Sequence, residues 1–105
     1  MDDDVEKVDI RGFKLQRTCW ACPEQYDVWM GDKQVGYLRL RHGFFRADYP
    51  DCGGETVYEA TPKGDGLFEA DEREHYLTEA VAAIAFRIAT GHAPKVTVEK
   101  LPEWD

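Results

Sequence analysis

A chain of 105 residues with 43% apolar and 12% aromatic side chains has the composition of one folded domain, not of a disordered tail. Its formal net charge of −8 argues against direct nucleic-acid binding, since gripping that backbone depends on neutralising phosphates. No apolar run reaches the roughly 18 residues that a membrane-spanning helix needs, so no membrane partner is expected.

The start, MDDDVEKVD, is acidic where a signal peptide is basic and then apolar. A cytoplasmic location is therefore expected. There, three cysteines, an odd number, do not make a disulfide framework. The whole chain, 1–105, reads as a single domain, with residues 1–7 as an acidic, frayed tail. Charge is unevenly placed: residues 50–79 carry −7, whereas residues 10–18 carry +3 and residues 32–49 carry +2.

In chain order, VDIRGFKLQRT (8–18) alternates weakly and is expected to form a first strand. EQYDVWM (24–30) sets Tyr26, Val28 and Met30 against Asp27 and Trp29, a strand pattern. GDKQ (31–34) supplies a turn and VGYLRLR (35–41) returns as the second arm of a hairpin, Leu38 and Leu40 on one face and Tyr37, Arg39 and Arg41 on the other. His42-Gly43 turns the chain into FFRADYP (44–50). DCGG ends that strand, ETVYEAT (55–61) forms another, and PKGDG (62–66) is turn chemistry.

The period then changes. In residues 71–91, Tyr76, Leu77, Ala80, Val81, Ile84, Ala85 and Ile88 recur at the spacing of one helical stripe. Asp71 is placed as the N-cap of this helix, with Glu74 completing a capping box, and Gly91 as its C′ stop. After Pro94, KVTVEKL (95–101) alternates like a final edge strand. The expected fold class is α+β: an antiparallel sheet of about five strands covered on one face by a single long helix.

Cys19-Trp-Ala-Cys22 has the spacing that turns two thiolates toward one zinc. The remaining ligands would have to come from Cys52 and a histidine, His42 being conceivable if the turns meet at one sheet edge. With ligation incomplete, no metal and no cofactor are expected, and the cysteines read as small, partly buried side chains. A redox pair needs its attacking cysteine at a helix N-terminus, and here Pro23 and a strand follow. Glu72-x-x-His75 resembles half of a carboxylate metal site, but a single helix cannot bring the second half. The chain contains no serine, no Walker pattern and no G-x-G-x-x-G. No assembled catalytic constellation is visible, so a non-enzymatic protein is expected.

The remaining feature is the stripe Tyr37, Arg39 and Arg41, joined by Arg46 if the two strands pair around His42-Gly43. Arginines on adjacent strands repel and call for anions. Asp27, Asp48, Glu55 and Glu59 on neighbouring strands are the expected ones, a bound ligand the alternative. One helix leaves the other sheet face uncovered, with Trp29, Tyr37 and Phe44 available on it. A partner or ligand site is therefore expected around Trp29, Tyr37, Arg39, Arg41 and Arg46, residue types that dominate binding hot spots. The occupant is expected to be a protein, and a homodimer is a further candidate.

CPEQYDVWMGDKQVGYLRLRHGFFRADYPDCGGETVYEATPKGDGLF, with the helix start DEREHYL, resembles small uncharacterised proteins carried by bacteriophages and prophages. The likeness covers residues 22–86. It implies a mobile-element gene expressed in a bacterium and assigns no residue a role. In that setting the expectation is a small acidic binding protein that occupies a host or defence protein.

Overall fold

The computed structural model describes residues 7–19 and 23–92. In chain order they form β1 (Lys7–Ile10), β2 (Phe13–Cys19), β3 (Glu24–Met30), β4 (Lys33–Arg41), β5 (Phe44–Tyr49), β6 (Glu55–Ala60) and α1 (Arg73–Thr90). The six strands make one antiparallel sheet in sequence order, and the helix packs on it. The class is α+β, as expected.

The strand count differs because residues 8–18 form two strands. Arg11 and Gly12 take left-handed φ values of 54° and 86° and fold β1 back on β2, Ile10 opposite Phe13. Two consecutive positive φ angles suit a hairpin turn whose twist matches that of the strands. His42 and Gly43 do the same between β4 and β5, at 56° and 76°. The strand expected at 95–101 lies outside the described residues.

Antiparallel register sorts the side chains into two faces. On the inner face Leu15 lies opposite Val28, Tyr26 opposite Leu38, Leu38 opposite Ala47 and Leu40 opposite Phe45. All of these are fully buried. The register shifts by one residue in each of the pairings β2–β3, β3–β4 and β5–β6. Such bulges sharpen sheet twist, which lets one helix and one loop close over a broad face.

α1 sets Leu77, Ala80, Val81 and Ile84 against this face, at the expected spacing. Ile88, in the same stripe, is only partly buried in the last turn. The helix comes close to the sheet at Gly36, where a Cβ would collide with the Ile84 side chain and crowd Val28 at 3.2 Å. Phe68, from the loop before the helix, fills the remaining gap, its ring 4.9 Å from Phe45 and 5.8 Å from Tyr76.

The helix ends as expected at Gly91, whose N–H donates to the Arg87 carbonyl at 2.9 Å. Its start differs. The N-cap is Glu72, not Asp71, and no side chain caps the first turn. Asp71 instead pairs with Lys63 at 3.1 Å, and the Glu72 carboxylate turns away to the preceding loop. It accepts the backbone N–H groups of Lys63 and Gly64 at 2.8 Å and of Glu69 at 2.9 Å. Three loop donors, one of them on buried Gly64, outweigh one cap bond. Among the described residues no helix is long and apolar enough to cross a membrane.

Candidate functional site

Register also brings the five expected site residues, Trp29, Tyr37, Arg39, Arg41 and Arg46, to the outer face. Tyr37 stands between Asp27 and Asp48, Arg39 between Gln25 and Arg46, and Arg41 opposite Phe44. Trp29 lies beyond Asp27 toward the other end of β3, between Lys14 and Gln34. They share a face but form no single cluster.

The arginines do group. Arg39, Arg41 and Arg46, with His42 and Phe44, line a shallow depression of about 390 Å³ at the β4–β5 turn. Arg46 Nε lies 3.1 Å from Asp48 Oδ1, an ion pair whose N–H points off the hydrogen-bond line. Asp48 is almost fully buried and also accepts the Thr56 hydroxyl at 3.0 Å and the Gly53 N–H at 3.2 Å. Among the described residues Arg39 and Arg41 pair with no carboxylate. The expected internal neutralisation therefore holds for Arg46 through Asp48, and Glu59, also expected, stands opposite Arg46 on β6. Glu55 serves Arg87 of the helix instead, at 2.7 Å.

The outer face is less bare than one helix suggests. Tyr37 is 8% exposed. Its hydroxyl donates to Gln25 Oε1 at 2.9 Å and lies beside Cys52 and Arg39. Burial pushes this hydroxyl up, Cys52 adds to the effect and Arg39 opposes it. The segment after β5, tied down by the Gly53 bond to Asp48, thus folds back over the middle of the sheet. Burial likewise raises Asp27, against a hydrogen bond from Gln34 that lowers it. Trp29 is half-buried and only Phe44, at 41% exposure, presents an open ring.

The cysteines proposed for zinc are only partly in view. Cys52 lies beside the Tyr37 hydroxyl, and His42 sits in the β4–β5 turn. Cys22 lies outside the described residues. Among those described, no three of His, Cys, Asp and Glu group as metal ligands do. His75 sets its ring against Tyr76 at 4.8 Å, and Glu72 is engaged with the loop.

A second polar centre sits on the inner face and was not singled out from the sequence. Glu24, fully buried, accepts from Arg73 Nε at 2.8 Å, Arg73 Nη2 at 3.1 Å, the Tyr26 hydroxyl at 2.6 Å and the Phe68 N–H at 2.9 Å. Arg17, also buried, lies 3.5 Å away. Burial pushes the Glu24 carboxyl up, but Arg73, Tyr26, Phe68 and Arg17 together hold it below its ordinary value. Burial and the same carboxylate raise the Tyr26 hydroxyl. With every lone pair engaged, this centre is a clamp joining β2, β3, the loop and α1. The available signal was phase: Arg17 and Glu24 alternate in step with Leu15, Tyr26 and Val28, so each falls among buried neighbours.

Comparison with protein-family models, with curated proteins and with solved structures finds no match to this chain.

Proposed function

We propose that this chain is a small, acidic, non-enzymatic binding protein that occupies a protein partner through the outer face of β4 and β5. The observation that carries the reading is the pair Arg39 and Arg41, which stand without an acidic partner among the described residues beside an exposed Phe44. Guanidinium and aromatic groups supply most of the energy at interfaces, and unneutralised arginines keep that energy for a partner. The exposed acids of residues 50–79, among them Asp51, Glu59, Asp65 and Glu69, form a charged rim that steers approach. The resemblance to phage-borne proteins supports a host or defence protein as the target.

The test is affinity capture from a bacterial host, followed by titration of the captured protein with Arg39→Ala/Arg41→Ala. The double variant should stay folded, because both changes shorten side chains that are not buried. Its affinity should fall by at least about tenfold, which corresponds to about 1.4 kcal/mol. A folded double variant that binds like the parent places the contact elsewhere.

A further inference from the structure

We propose that the depression at the β4–β5 turn is a binding site for a small phosphomonoester that carries an aromatic ring. The inference deepens the reading above by naming the chemistry the arginine face recognises, and it needs no protein partner to be true.

The argument begins with charge. Arg39 and Arg46 are directly opposed across two paired strands, and like charges in that position repel. Arg41 extends the same row by one step, toward the turn. Among the described residues only Arg46 of the three has an ion pair; its partner Asp48 already serves Thr56 and Gly53, and Glu59 stands opposite Arg46 on β6. Among the described residues Arg39 and Arg41 thus stand without an ion pair on the wall of one depression. A carboxylate would neutralise one of them. A phosphomonoester carries about −1.5 to −2 at neutral pH, which matches two.

Geometry points the same way. Guanidinium groups present paired N–H donors that fit the oxygens of a phosphoryl group, and three around one hollow can share its terminal oxygens. A volume of about 390 Å³ lies at the lower end of the range of small-molecule sites. Phe44, 41% exposed, stands opposite Arg41 on the same rim and offers a flat face for a ring. The turn beneath is held by the paired left-handed residues His42 and Gly43, so the rim is set before any ligand arrives.

The experiment is a titration followed by backbone amide shifts, with phenyl phosphate, adenosine 5′-monophosphate, inorganic phosphate and benzoate as probes. Phenyl phosphate and the nucleotide should each saturate at one equivalent, with shifts confined to the β4–β5 turn. Inorganic phosphate, lacking the ring, and benzoate, lacking the second charge, should each bind about tenfold more weakly. Arg39→Ala should weaken phenyl phosphate about tenfold. Phe44→Ala should bring phenyl phosphate down to the level of inorganic phosphate and leave the latter unchanged. Lys14→Ala, on the same face but remote from the depression, should change nothing.

If the nucleotide binds at least tenfold better than phenyl phosphate, the natural ligand is a free nucleotide. If the two bind equally, the site reads a phosphate and any ring, as a phosphorylated aromatic side chain would present. Failure of every phosphate probe to saturate at millimolar concentration overturns the inference, as does unchanged binding by a folded Arg39→Ala variant. Should that failure coincide with loss of protein capture by Arg39→Ala/Arg41→Ala, the protein-binding reading stands and only this one falls. Phosphate binding with protein capture intact has the opposite meaning.

Discussion

Replacing Glu24 with glutamine keeps the volume and removes the charge, so it isolates what the buried carboxylate contributes. In the parent, four hydrogen bonds and a second arginine at 3.5 Å converge on two oxygens that are fully shielded from water. Glutamine offers one acceptor oxygen, and its amide meets donors on the other side. Breaking a buried pair from one side typically costs about 3–5 kcal/mol, because the remaining charge is stranded. The Arg73 side chain is 29% exposed and recovers part of its solvation, so a cost of about 3 kcal/mol is expected. A domain of this size has roughly 5–15 kcal/mol in all, so the variant should fold, with Tm lowered by about 15 °C.

The pH dependence gives the stronger test. The folded-state value of Glu24 lies below the ordinary 4.5. Its contribution is therefore complete above about pH 4.5 and is lost as pH falls through the lowered folded-state value. Urea unfolding of both proteins between neutral pH and pH 3 should show a gap that is full at pH 7 and closes in acid. Glu72, lowered in the same sense by three backbone donors, gives both proteins a shared acid sensitivity that cancels in the difference. A variant within about 1 kcal/mol of the parent at pH 7, or a gap independent of pH, refutes the clamp.

Ile84→Asp should abolish the folded state, read as loss of the cooperative melt, because it places an unpaired charge where exposure is zero. Gly36→Ala should cost about 1–3 kcal/mol by denaturant titration, since its methyl meets the Ile84 side chain, and Ile84→Val should recover part of that loss in the double variant. Glu72→Ala should lower stability by about 2 kcal/mol and speed amide exchange at Lys63, Gly64 and Glu69, whose N–H groups lose their acceptor. Unchanged exchange at those three amides would show that the loop is held by something else.

The sequence by itself determined what depends on neighbours a few residues apart. Alternation in 24–30 and 35–41 named the buried face, since adjacent strand side chains point to opposite sides. The stripe through Leu77, Ala80, Val81 and Ile84 named the helix and the side it buries, and Gly91 its end. The same alternation sent Trp29, Tyr37, Arg39, Arg41 and Arg46 to the outer face. The turn at Arg11-Gly12 was missed, although the apolar phase shifts there from Val8 and Ile10 to Phe13 and Leu15, because an arginine at positive φ gives little warning.

Tertiary structure decided which charges meet. Alternation placed Arg17 and Glu24 in step with the core, but Arg73, the donor that completes the carboxylate's shell, lies 49 residues on from Glu24. Asp71 suited the N-cap locally, yet the loop amides it could not see drew the helix start to Glu72 instead. Which arginines stand without an acidic partner among the described residues followed only from knowing that Asp48 is spent on Arg46, Thr56 and Gly53, and Glu55 on Arg87. Periodicity is a property of the local backbone and can be read along the chain. Neutralisation is a property of distances through space, and only the folded arrangement of strands, loop and helix sets those.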